Sequence, residues 1–250
     1  MSRLGISSSV SSGVFNFLTF KNMKKLALRY SLEFIVIVFG ISISFYLEKQ
    51  NALSYKEDLK NVSLSKLKDN INEEIDGLIF DIKVHSNASR YGDIIYERGE
   101  DLYKQNKDSL GFYLSYLINA ATIYVDNNEE YSSLKNSGLI ELIENRNLVS
   151  LLQNKYSQHN YYKDVGAMFT ELYYDNNSLR KYLDSKNRKI HWGLAAYSTS
   201  YKSNMKYIND IEINMVSSKS ILHKLYSNLL RKALKTDSLI LKEISKEINQ

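Results

Sequence analysis

An all-α fold is predicted: an N-terminal transmembrane helix, then a long helix and an antiparallel helical bundle. Three observations predict it. A single apolar run, Phe34 to Leu47, contains no charged residue. No proline occurs in 250 residues, so nothing of that kind interrupts a helix. The apolar residues downstream recur at helical spacing, with no strand alternation of any length, no glycine-rich phosphate loop and no internal repeat.

The apolar run comes first because it decides where the chain sits. A spanning helix needs about 20 mostly apolar residues, and no fewer than about 17. Leu26 to Leu47 reaches that length with Arg29 snorkelling to the headgroups and Glu33 placed near one interface. A buried core helix would carry an amphipathic stripe, whereas this run is apolar nearly all round. Residues 30–47 are therefore read as the span, residues 1–29 as a disordered or interfacial basic segment, and residues 48–250 as the bundle domain. Residues 1–13 are Ser/Gly-rich and expected to be disordered. Val14, Phe15, Phe17, Leu18 and Phe20 lead into Lys21, Lys24 and Lys25, which suits either a short interfacial helix or a simple basic flank. Ser42-Ile43-Ser44 is a small-x-small triplet of the kind cleaved after signal peptides. About 30 residues precede the apolar run, however, and Phe45-Tyr46-Leu47 continues it, so an uncleaved signal anchor is expected.

Charge supports the same placement. Residues 1–47 carry Arg3, Lys21, Lys24, Lys25 and Arg29 against Glu33, a net +4 out of the chain's +5. A nucleic-acid binder would carry its basic excess on the folded domain. Here Lys21, Lys24, Lys25 and Arg29 flank the span, where they meet anionic lipid and set topology. Basic flanks stay inside, which predicts a single-pass protein with residues 1–30 cytoplasmic and an extracytoplasmic C-terminal domain. The absence of cysteine excludes disulfides and thiol chemistry.

Beyond the span, Leu59, Val62, Leu67, Ile71, Ile75, Leu78 and Ile82 fall on one helical face, within a helix expected from Leu53 to about Tyr103. Leu110 to Ile123 reads as a second helix, capped by Asp108 or Ser109. A third starts within Asp126–Glu130 and stops at Gly138. Leu139–Ile143 follows as a short apolar helix, and Leu148 to about Tyr174 as a long one. Asn176-Asn177 is a break before Leu179–Leu183. Asp184–Ser203 is the least regular part and holds the lone Trp192, read as an aromatic cap on the bundle. Helical periodicity returns from Asn204, with Thr236-Asp237-Ser238 as a cap for a last segment, Leu239 to Ile248.

Two stretches carry a resemblance. Tyr30-Ser31-Leu32-Glu33-Phe34 with the following run to Ile43 is an aromatic, a glutamate, then an apolar stretch with one glycine. Tyr131 to Ile143, with Leu134, Gly138 and Glu141, is the second. Together they resemble a family of uncharacterised single-span bacterial proteins found mainly in Bacteroidota. That family often has a tryptophan and a denser basic run after the span, where this chain has Glu48-Lys49-Gln50-Asn51. The resemblance implies a membrane anchor and a helical domain, and no activity.

No catalytic pattern emerges. His85, His159, His191 and His223 lie far apart, with no HExxH and no ExxH of the di-iron kind. They are read as singly solvated or hydrogen-bonded. Tyr161-Tyr162 and Tyr173-Tyr174, twelve apart, suit an aromatic groove less well than ordinary packing. No cofactor, no metal and no enzymatic activity are predicted. On the span, Glu33, Ile37, Gly40, Ser44 and Leu47 are spaced 4, 3, 4 and 3. They form one seam on which Gly40 and Ser44 make a small-xxx-small pair for self-association. The expected partners are the lipid bilayer, further copies of the chain and an unidentified protein. The expected function is a membrane-anchored scaffold or sensor; the alternative is an oligomeric effector that forms a pore, as in antiphage defence.

Overall fold

The computed structural model describes residues 13–174, 177–184 and 200–249. The expectations for residues 1–12, for the break at Asn176 and for His191 and Trp192 fall outside them. Six α-helices are present among the described residues: α1 (Gly13–Gln105), α2 (Lys107–Asn119), α3 (Glu129–Asn136), α4 (Arg146–Tyr174), α5 (Asn177–Arg180) and α6 (Asp210–Ile248). A 3-10 turn at Leu139–Leu142 lies between α3 and α4. No strand forms among the described residues, where the nearest approach is an isolated bridge between Leu183 and Tyr201. The fold is all-α, with one helix long and apolar enough to cross a membrane.

The chain divides into two compact units, residues 1–58 and 59–250. In the first, α1 presents apolar side chains all round: its most apolar 18-residue window has mean hydropathy 1.9 and is 0% buried. The hydroxyls there are satisfied locally, Ser31 donating to the Ala27 carbonyl and Ser44 to that of Gly40.

The second unit is a bundle with three contiguous cores. At one end Leu64, Leu67 and Ile71 of α1 meet Leu148 and Leu152 of α4 and Ile240 and Ile244 of α6. In the middle Leu78 and Ile82 meet Phe169, Tyr226 and Leu230. At the other end Ala88 and Ile95 meet Leu114 and Leu117 of α2 and Val216 of α6. This register makes α1 and α4 parallel and α6 antiparallel to both. The buried face of α1 is not quite the expected one. Leu59 and Val62 are exposed, and the stripe begins instead at Lys60 and Leu64.

Capping residues explain the helix ends. The Asn106 side chain accepts from Ser109 N–H and starts α2 two residues before the expected Asp108. Asn209 and Glu212 form a reciprocal capping box at the start of α6. Gly138, at φ 74°, ends α3 in the left-handed region that glycine enters without strain.

Two expected boundaries are corrected. The second helix does not reach Ile123: α2 stops at Asn119, and residues 120–128 form neither helix nor strand. Thr122 and Ile123 are β-branched and Tyr124 is aromatic, which favours the pleated backbone over another helical turn. Burial alternates, with Tyr124 and Asp126 buried and Ile123 and Val125 exposed. Nor do Thr236-Asp237-Ser238 cap a new helix. Helix α6 runs unbroken through them, because Thr236 and Ser238 donate to carbonyls four residues back and Asp237 is drawn into the core.

The last turn of α6 is tied to the chain's earlier parts. The Glu247 carboxylate, almost wholly buried, accepts from Lys60 Nζ at 3.1 Å, Glu144 N–H at 3.0 Å and Asn145 N–H at 2.9 Å.

Candidate functional site

The non-helical segment 120–128 organises the polar interior. Lacking a strand partner, its backbone is held by side chains: Tyr124 N–H donates to Tyr226 Oη at 3.1 Å and Asn127 N–H to Glu74 Oε1 at 2.7 Å. Its inward side chains each meet a buried polar group. The Tyr124 hydroxyl accepts from Lys155 Nζ at 3.2 Å, Asp126 pairs with His159, and Thr122 Oγ1 lies 2.9 Å from His85 Nε2.

Lys155 is the centre of the first cluster. Its ammonium contacts Glu74 Oε2 and Asp237 Oδ1, both at 2.7 Å, in a setting where all three side chains are nearly inaccessible. Burial alone would pull the lysine down, but Asp237 and Glu74 outweigh it and hold Lys155 above its ordinary value. One cation cannot neutralise two carboxylates with Asp126 close by. Burial, reinforced by Glu74 and Asp126, pushes Asp237 up to about 6 against the pull of Lys155. The second cluster is a histidine pair. His85 Nδ1 and His223 Nδ1 approach to 2.7 Å, with both rings buried and stacked among Phe169 and Tyr226. A contact that short needs one proton between the nitrogens, so one ring donates and the other accepts. Desolvation lowers His85 to about 4 and, helped by its neighbour, His223 to about 3. Asp81, bonded to Thr122, is raised by burial to about 6.

Two of the four histidines therefore do not stand singly as expected, and His159 is bound to Asp126. Helical spacing within one segment cannot reveal a pair 138 residues apart. Both clusters are closed off from solvent, and among the described residues no group of three or more histidine, cysteine, aspartate or glutamate side chains is arranged to hold a metal.

A groove of about 610 Å3 opens between α4 and α6 of the bundle. Val165 and Met168 form one wall, Leu222, Leu225 and Leu229 the other, and Phe169 and Tyr226 the floor. Met168 is 49% and Leu225 57% exposed. Gly166 lets the floor close: a Cβ there would lie 2.6 Å from Tyr226 Oη. Of the tyrosines singled out in the sequence, Tyr161 lines the groove at 56% exposure and Tyr162 packs inside beside Tyr124. The side chains of Tyr173 and Tyr174 lie outside the described residues.

The residues assigned to the span are all exposed on α1. Arg29 Nε sits 3.1 Å from Glu33 Oε1 one turn away, so Glu33 is partnered within its own helix. Ile37, Gly40, Ser44 and Leu47 follow on that face, and a Cβ at Gly40 would meet nothing within 4 Å. Lys24 and Lys25 are exposed upstream, with Lys21 in the same helix. Comparison with family models, with curated proteins and with solved structures yields no match to this chain.

Proposed function

We propose that this chain is a membrane-anchored, non-enzymatic binding module, a scaffold or sensor whose bundle engages a partner outside the bilayer. The observation that carries the reading is the contrast between the two units. One exposes an apolar helix on every side, and the other buries complete cores of its own. A long apolar surface left in water would drive aggregation. The polar interior favours a structural role over catalysis, because Lys155, Glu74, Asp237 and the histidine pair are buried and partner one another. The resemblance of Tyr30–Ile43 and Tyr131–Ile143 to the single-span Bacteroidota family agrees with an anchor followed by a helical domain. Residues 1–30 are assigned to the cytoplasm of a bacterium and residues 48–250 to the far side of its inner membrane, from the basic flank.

The alternative, an oligomeric pore, is supported by Glu33 and the small residues of the span. The Arg29–Glu33 ion pair on one helix favours the anchor instead. Alkaline carbonate extraction tests the central reading: the full chain is expected in the membrane pellet, with a periplasm-active reporter fused at residue 60 showing activity. Release into the supernatant overturns the anchor, and a cytoplasm-active reporter reverses the topology.

A further inference from the structure

We infer that the groove between α4 and α6 is a binding site for a single-chain fatty acid, with the carboxylate at Lys232 and the hydrocarbon chain running toward Met168 and Leu222. This rests on the reading of the bundle as a binding module and supplies its ligand class.

Polarity along the groove sets the direction. Helices α4 and α6 are antiparallel: Lys155 pairs with Asp237, while Phe169 touches His223 at a ring separation of 4.7 Å. Tyr161 therefore stands level with Lys232, and Met168 with Leu222 and Leu225. Lys232 lines the Tyr161 end, Asn228 lies near the middle, and among the described residues no carboxylate lines the groove. On α6, Leu222, Leu225, Leu229 and Lys232 are spaced 3, 4 and 3, which makes a single apolar line ending in a cation. A mostly apolar cleft with a few polar groups at one end is the usual form of a site for an amphiphile.

Dimensions select one chain. From Leu222 to Lys232 the helix rises about 15 Å. At about 1.2 Å per bond of an extended chain, that accommodates about a dozen methylenes. Met168 on the wall can re-pack around an unbranched chain. An anionic head is specified because the described lining residues offer the Lys232 cation and no opposing charge.

The test uses the full chain in lipid nanodiscs, a twelve-carbon fatty acid carrying a diazirine near its methyl end, and the matching alcohol. Peptide mapping after photolysis is expected to place the acid on the peptides containing Met168, Leu222 and Leu225. Lys232→Gln should lower labelling by the acid about threefold to fivefold, the worth of an exposed ion pair, and leave the alcohol unchanged. Leu225→Glu should remove groove labelling by both probes. Labelling of the Phe34–Leu47 peptide, which reports lipid partitioning, should stay constant in all variants. Groove labelling no stronger than that of other bundle peptides, or equal labelling in Lys232→Gln, overturns the proposal. So does a change of oligomeric state in Leu225→Glu without groove labelling of the unmodified protein, which would assign the groove to a second copy. In each case membrane retention of the protein is read separately and still reports on the anchor.

Discussion

Each imidazole of the His85–His223 pair is neutral in the folded bundle and chargeable in the unfolded chain. The ordinary histidine value is about 6.5, and burial lowers these two to about 4 and about 3. Between those limits the unfolded state binds protons that the folded state refuses, so their effect is to weaken the fold as pH falls. Asp81 acts oppositely. Raised to about 6, it holds a proton in the fold below that pH, and its contribution is lost as pH rises through 6. The two effects partly cancel in the unmodified protein, so a difference measurement is needed. His223→Gln should be less stable than the parent at pH 7, with a deficit that narrows on acidification toward pH 4.5 by up to about 1.4 kcal/mol per pH unit. Denaturant midpoints at several pH values check this, and a constant or widening deficit would put a charged ring in the fold. None of the pairing was legible in the sequence. His85 and His223 carry no local signature because their contact is made by α1 and α6 closing on each other. Asp237 misled for a related reason: within Thr-Asp-Ser it has the chemistry of a cap, and only Lys155 on α4 reveals why it is buried.

Helices were largely legible because their ends are written in local chemistry: Gly138 stops α3, and the absence of proline leaves α1 unbroken from Gly13 to Gln105. The non-helical segment 120–128 was not, although its composition held the clue. Thr122, Tyr124 and Asp126 alternate with exposed residues over too few positions to outweigh the helical run before them. The groove was half visible, since Leu222, Leu225 and Leu229 share a helical face, but the opposing wall comes from α4. On the span, the seam of Glu33, Ile37, Gly40, Ser44 and Leu47 makes its own prediction. Glu33 is answered by Arg29, and Gly40 opens a notch that a second backbone can enter. Gly40→Leu should therefore reduce the oligomer seen by native mass spectrometry, while Ile41→Leu on another face leaves it unchanged. A monomer for the parent, or identical spectra for both variants, would remove the seam as an interface.

Across the whole bundle, Lys155 joins the three helices that share the cores. Truncating it strands the Glu74 and Asp237 carboxylates, and breaking a buried pair in this way costs about 3–5 kcal/mol. Lys155→Met should lower the bundle's unfolding midpoint by that order in circular dichroism. Lys66→Met, which removes an exposed ion pair to Glu130, should cost less than about 1 kcal/mol. Equal effects would mean the central cluster is hydrated and structurally idle. The Glu247 clamp has a consequence of a different kind, in time rather than energy. Lys60 must wait for a partner that is 187 residues further along the chain. At about 5–20 residues per second, translation leaves that interval open for roughly 10–40 s. Throughout it, the apolar stripe from Leu64 to Ile82 has emerged from the ribosome without α6 to cover it. The contact between Lys60 and Glu247 therefore closes only with the last turn of α6, after the rest of that stripe has waited for its cover.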